Sequence, residues 1–268
     1  MLPIKKAIAI VVFVSTMVTG WVAPELVLPA TAPINVNPLV VIAEPADPLP
    51  QVEPSQPTEP PSAPPGNGKI CYLSFDDGPD GIITPAMLNV LKEHGVKATF
   101  FVVGNKVDQY PSALKRIKDE GHAIGNHTYY HDYHKNNDLA AFTSELERTN
   151  QAIKRVTGER TSLIRVPGGS TSTFRSQVMP GLAELGYEYF DWNVDSRDAL
   201  DRKQNATQMA DRVANGVAKH KVAIVLMHSI NTPTSLKALP SIIERIQKMG
   251  YSFRVIGSST KPIQFSGN

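Results

Sequence analysis

The sequence predicts an α/β domain over residues 66–268, and three observations carry that reading. Seven short β-rich runs alternate with segments of helical period, the pattern of a parallel sheet with helical crossovers. A glycine (Gly95, Gly121, Gly158, Gly186, Gly250) stands just past five of the helical segments, where helix C-caps favour it. Thirteen of the 22 prolines fall between Pro24 and Pro65, which leaves the remainder poor in proline and free to form regular structure.

Taken from the N-terminus, residues 1–32 read as a secretion signal or an N-terminal membrane anchor. Lys5 and Lys6 supply the positive start, and the apolar run at 7–18 is short for a spanning helix of about 20 residues. Ala30-Thr31-Ala32 offers a small-x-small cleavage site. Residues 33–68 form a linker whose stretch to Pro65 is rich in proline, holds no Lys or Arg, and has no apolar periodicity, so it is expected to be disordered. In a polyproline conformation it would reach roughly 100 Å, enough to hold a domain away from a membrane or within a wall. Gly66-Asn67-Gly68-Lys69 is a linker-end turn and not a phosphate loop, because Ile70 stands where Ser or Thr is required.

The folded domain spans 69–263, with 264–268 a tail. Its strands are predicted at 70–75, 98–103, 122–125, 162–166, 187–194, 222–227 and 252–256. Its helices are predicted at 84–93, 111–120, 138–157, 173–185, 205–219 and 233–248, with Thr84-Pro85 and Thr232-Pro233 as cap-plus-proline starts. Both a closed barrel and an open doubly wound sheet satisfy this alternation. No G-x-G-x-x-G follows the first strand, which argues against dinucleotide binding.

Composition excludes several classes. The single cysteine, Cys71, rules out a disulfide framework and a Cys-rich zinc fold. The balance of 27 Lys+Arg against 25 Asp+Glu speaks against binding nucleic acid by bulk charge. Residues 1–65 carry two lysines against five acids, so the remainder is mildly basic, a charge that suits an anionic wall. A monomer is expected.

Polar residues collect at the C-terminal ends of five predicted strands: Asp76-Asp77, His127 to His131, Arg165 to Gly169, Trp192 to Asp198, and His228. In a β/α barrel those ends share one face, the face where catalysis occurs. Asp76 and Asp77 are adjacent and on a regular strand point to opposite sides, which suits a division of labour between binding a metal and taking a proton, or a turn-capping pair. His127 and His131 are four apart, so one helical turn would project both imidazoles from one side as metal ligands. Thr128 follows the first histidine, so the H-E-x-x-H base of zinc proteases is missing. One added carboxylate completes an Asp-His-His set with open positions, a catalytic pattern that favours zinc. His228 reads as a general acid or a core histidine, and Arg165 as the partner of a carboxylate or a surface charge. Trp192 and Leu226 wall an apolar pocket or belong to the core. His94 and His220 read as helix C-terminal residues, His122 as a hydrogen-bonded core residue, and Cys71 as a small buried hydrophobe.

The segments LSFDDGP, HTYYH, RVPGG, the 192–198 run and IVLMH, in that order, resemble the polysaccharide deacetylases with a NodB-homology domain, carbohydrate esterase family 4. The resemblance covers about Lys69 to Ile263 and is closest to secreted bacterial N-deacetylases of cell-wall glycans. It implies a distorted (β/α)-barrel of about seven parallel strands. It also implies Asp76 as general base, and Asp77, His127 and His131 as ligands of a divalent metal, zinc first with cobalt, nickel or manganese as alternatives. Arg165 would orient Asp76, and His228 would be the general acid tuned by Asp198, with Asp195 in support. Trp192 and Leu226 would wall the acetyl pocket, and Pro167, Gly168 and Gly169 would bind substrate, the Gly168 N–H helping to hold the oxyanion. Two departures stand out: Gly168 where the family commonly has an aromatic residue, and Ala199 where a Trp often follows the second Asp. The implied activity is metal-dependent removal of N-acetyl groups from an amino-sugar polymer, peptidoglycan first and chito-oligosaccharide second. An O-acetyl polysaccharide esterase and a non-catalytic glycan-binding barrel are the alternatives, and secretion or attachment at the cell surface is expected.

Overall fold

The computed structural model describes residues 68–265 apart from 172 and 202. The expected signal or anchor and nearly all of the linker therefore lie outside the described residues. No helix among the described residues is long and apolar enough to cross a membrane.

The alternation becomes a parallel sheet flanked by helices. Its elements in order are β1 (Ile70–Asp76), α1 (Ile83–Glu93), β2 (Thr99–Val102), α2 (Gly104–Gln109), α3 (Pro111–Asp119), β3 (Ala123–Asn126), α4 (Leu139–Thr157) and β4 (Leu163–Ile164). There follow α5 (Met179–Glu184), β5 (Glu188–Tyr189), β6 (Val194–Asp195), α6 (Ala206–Val217), β7 (Val222–His228), α7 (Pro233–Lys248) and β8 (Ser252–Phe253). The strand order is β5-β4-β3-β2-β1-β7-β6, with β8 beside the first residues of β1 and β2 beside its last.

The edge strands β5 and β6 are joined by only residues 190–193, a link that reaches at most about 18 Å. A flat sheet would hold them roughly 29 Å apart. The sheet must therefore curl until its edges face one another, which makes it the distorted barrel that the family resemblance implies. Across this seam the backbone forms no regular ladder. Phe190 N–H donates to Ile164 on one side and Asn193 N–H to Ile224 on the other. Between them Asp191 N–H donates to Ile263, so the C-terminal segment fills the gap. This is why the single strand expected at 187–194 is two short ones.

Several helix boundaries follow from capping. Asp138 accepts from Ala141 N–H to start α4, and Asn205 with Gln208 forms a reciprocal capping box on α6. The five expected glycines all have positive φ. Of the two cap-plus-proline starts, Pro233 does open α7, but Thr232 Oγ1 donates to His228 O and caps no helix N–H. The Thr84-Pro85 start does not hold, since α1 begins at Ile83 and the Asp80 carboxylate accepts from Ile82 and Thr84 N–H. The helix expected over 173–185 is interrupted by a π-helical turn at Phe174–Val178, where Met179 N–H reaches back to Phe174 O. Pro180, next in line, has no N–H to continue an α ladder. The short helix α2 was not expected, since neither a periodic apolar stripe nor a side-chain cap marks it.

Strand alternation separates two cores. Cys71, Leu73 and Phe75 on β1, with Val225 and Met227 on β7, pack outward against the helices. Tyr72 and Ile224, with Phe101, Leu163, Phe190 and Ile256, fill the barrel interior. Cys71 is fully buried and burial pushes its thiol far up, as a packing residue requires. His122 is also buried; its Nδ1 accepts from Ala98 N–H, and burial with nearby Lys97 and Arg116 lowers its pKa to about 3.

Candidate active site

The same alternation that fills the barrel with apolar side chains places polar ones at its mouth. The inward row of β1 runs Tyr72, Ser74, Asp76, and that of β7 runs Ile224, Leu226, His228. Asp76 and His228 are register partners across these two strands. Arg165 extends the inward row of β4 beyond Leu163. It is fully buried and every part of its guanidinium is served: Nε donates to Phe190 O at 2.9 Å, and Nη1 to Ser74 Oγ and Asp76 Oδ1, each at 2.8 Å. The guanidinium also lies 4.1 Å over the Phe101 ring. A buried charge needs such a set of partners, and the arrangement fixes Asp76 with its Oδ2 free toward the mouth.

Asp77 leaves the strand with φ of 70°, which breaks the alternation and turns its carboxylate to the same side as Asp76. Its Oδ1 lies 3.5 Å from His127 Nε2 and 3.3 Å from His131 Nε2, is buried, and has no hydrogen-bond partner among the described residues. These three residues form a group able to hold a metal ion. The separations fit: two ligands about 2.1 Å from a tetrahedral ion lie about 3.4 Å apart. The donor chemistry also fits. His127 Nδ1 faces Arg165 O at 2.8 Å, so it donates there and leaves Nε2 as a lone-pair ligand. Burial lowers the pKa of His131, which favours its neutral, ligating form.

The two histidines do not share a helical turn. They sit on a loop in which Thr128 and His131 both have positive φ. Three polar side chains enforce it: Asn126 accepts from Thr128 N–H, Thr128 Oγ1 from His131 N–H, and Glu145 of α4 from both Tyr129 and Tyr130 N–H, at 3.2 and 2.8 Å. Nothing in the local sequence marks Glu145, which lies fourteen residues past His131 on another element. Glu145→Ala is expected to cost about 2 kcal/mol by leaving two loop N–H groups unpaired, read as a lower Tm in thermal unfolding, and to weaken metal binding about tenfold.

Across the mouth, His228 Nδ1 meets Asp198 Oδ1 at 2.6 Å. Asp198 Oδ2 accepts from His228 N–H and from Ser235 Oγ, another buried residue that the sequence did not single out. Burial works against the charged forms. Even so, the pairing holds Asp198 below its usual range, and together with Asp76 and Asp77 it raises His228 to about 9. Among the described residues it is Asp198 and not Asp195 that pairs with His228; the Asp195 carboxylate accepts from Arg197 N–H at 2.7 Å and shapes the loop that presents Asp198.

The third wall is the turn after β4. Pro167 and Gly169 are buried and Gly168 is exposed, with φ of 73° and 85° at the two glycines. Gly169 N–H donates to Val166 O and Ser170 N–H to buried Asp191, whereas among the described residues no acceptor takes Gly168 N–H. A Cβ on Gly169 would come within 2.6 Å of Phe265 and 3.0 Å of Trp192. Trp192 is half-buried and edge-on to Phe265, and Leu226 is buried.

The family model described as polysaccharide deacetylase matches residues 63–190. A peptidoglycan-N-acetylglucosamine deacetylase of Bacillus cereus is 33% identical over 201 residues, 74% of this chain and 73% of that one. The chain belongs to the polysaccharide deacetylase family. A peptidoglycan-N-acetylmuramic acid deacetylase of Bacillus subtilis is 34% identical over 190 residues, 70% of each chain. The crystal structure of a Bacillus cereus polysaccharide deacetylase superposes with a TM-score of 0.68 at 33% identity, covering 74% of this chain and 97% of that one. As a polysaccharide deacetylase the chain is a hydrolase, and the polar mouth of its barrel is the place where this fold carries catalysis.

Proposed function

We propose that this polysaccharide deacetylase removes N-acetyl groups from peptidoglycan, with chito-oligosaccharide as a second substrate, at the mouth formed by Asp76, Asp77, His127, His131 and His228. The observation that carries the reading is the convergence of an unpaired buried Asp77 Oδ1 with two histidine Nε2 atoms, between a free Asp76 oxygen and a His228 imidazole. The peptidoglycan deacetylases among its relatives support the substrate.

Asp77, His127 and His131 would hold a divalent ion, zinc by the preference of such a donor set, which supplies Lewis acidity toward the acetyl carbonyl and an acidified water. Asp76 Oδ2 takes the proton of the attacking water while the Arg165 hydrogen bond to Oδ1 keeps the carboxylate aimed. The Gly168 N–H faces the oxyanion as it forms. His228, held by Asp198, gives its proton to the sugar nitrogen so that the amine leaves and acetate is released. Trp192 and Leu226 wall the acetyl methyl. The basic domain, the signal-like residues 1–32 and the long proline-rich linker support work outside the cell at the wall, with the N-terminus as cleaved signal or membrane tether.

Acetate release from peptidoglycan and chitin oligomers, compared with acetylated xylan, tests the reading. Release from the N-acetyl glycans at least about tenfold faster supports it; release from acetylated xylan alone refutes it. A pH profile tests the acid. The rate falls as pH rises through the His228 pKa, for which about 9 is an upper bound because a bound cation beside it opposes protonation. Asp198→Asn removes the anion that raises this pKa, so the alkaline limb of kcat/KM moves to lower pH by about one unit or more. An unmoved limb would take that role from His228.

A further inference from the structure

Tyr133 opens a short 3-10 turn at Tyr133–Lys135, between the second histidine and α4. Its position is fixed from two sides. Asp132 accepts from His134 N–H at 3.0 Å, and the buried Asn136 donates to Pro167 O at 2.9 Å, tying this turn to the one that carries Gly168. The Tyr133 ring stands edge-on to His131 at 4.9 Å and 87°. A Cβ on Gly168 would come within 2.8 Å of its Cε1, so the ring rests on bare backbone. Although so placed, Tyr133 is 58% exposed.

That exposure is not scattered. Among the described residues the other large exposed hydrophobics are Ile82, Tyr130, Leu200 and Val222. The first three lie on the loops after β1, β3 and β6, around the same mouth; Val222 lies at the opposite end of β7. An apolar rim around a polar, carboxylate-lined mouth fits a ligand with apolar faces and polar edges, which describes a pyranose ring.

We propose that Tyr133 is a substrate-contacting residue whose ring stacks on a pyranose of the glycan chain lying across Gly168, and that it sets the preference for polymeric over small acetylated substrates. This rests on the glycan reading given above. The ring, seated on Gly168 and against His131, offers a flat surface with little entropy to lose, and its hydroxyl adds one hydrogen bond to a sugar edge.

The test uses the full chain with tetrameric chitin oligomer and an aryl acetate. Tyr133→Ala should raise KM for the oligomer about tenfold more than for the aryl acetate, and should weaken oligomer binding to the metal-stripped protein about tenfold in calorimetry. Tyr133→Phe should recover most of that binding, and Val222→Thr should leave KM unaltered. Equal losses on both substrates with a fall in bound metal would mean Tyr133 only supports His131, and an unaltered oligomer KM and affinity would remove the contact; either outcome overturns the proposal. If the wild type released no acetate from any N-acetyl glycan, the function proposed above would fall, while the binding measurement would still decide whether Tyr133 grips the oligomer.

Discussion

Asp76→Asn is expected to keep its bound divalent ion and lose acetate release by about 10²–10⁴-fold. The amide oxygen still accepts from Arg165 Nη1, so the side chain stays in place, and the Asp77, His127 and His131 donors are untouched. What disappears is the basic Oδ2 that faces the mouth 3.6 Å from His127 Nε2. Some stability goes with it, because fully buried Arg165 loses its counter-charge, so the assay belongs at a temperature where the melting curve shows the variant folded. Metal content by elemental analysis and acetate release are read on the same preparation. Near wild-type release would remove Asp76 from the role of base, and loss of metal in parallel would make it a ligand.

Asp77→Ala and His131→Ala are expected to lose metal and activity together, down to the level of chelated wild type. Each removes one of three converging donors and leaves two, too few to retain a catalytic ion against a chelator. Stability should barely suffer, since Asp77 Oδ1 has no hydrogen-bond partner to lose and His131 is partly exposed. A variant that kept full metal content while losing activity would place the ion elsewhere.

Much of this site was legible because strand alternation is a local property. The inward row that starts at Tyr72 has to reach Asp76, and the row through Ile224 has to reach His228, once both runs are strands. The placement of Asp77 was not legible in the same way: adjacency predicts the opposite side, and only a φ of 70° brings it round. The spacing of His127 and His131 predicts a shared helical turn, whereas the structure brings the pair together on a loop. A helical turn and a loop with two left-handed residues can both bring positions four apart together, and what selects the loop is Glu145, an acid on α4 bonding backbone N–H groups on another element. The seam of the barrel was hidden for a similar reason. Residues 187–194 have one strand's composition, yet the chain there must pass from beside β4 to beside β7, and the partner in the gap, Ile263, is far away in sequence. Tyr133 and Phe265 carry no motif; their place beside Gly168 and Gly169 is a tertiary fact.

The most direct measurement is mass spectrometry of peptidoglycan fragments and chitin oligomers after incubation with the full chain, in three arms: as purified, with chelator, and with zinc restored. Loss of acetyl mass in the first arm, its absence in the second and its return in the third is the predicted result. Acetyl groups retained in all three arms, or released equally in the presence of chelator, would contradict a metal-dependent N-deacetylase.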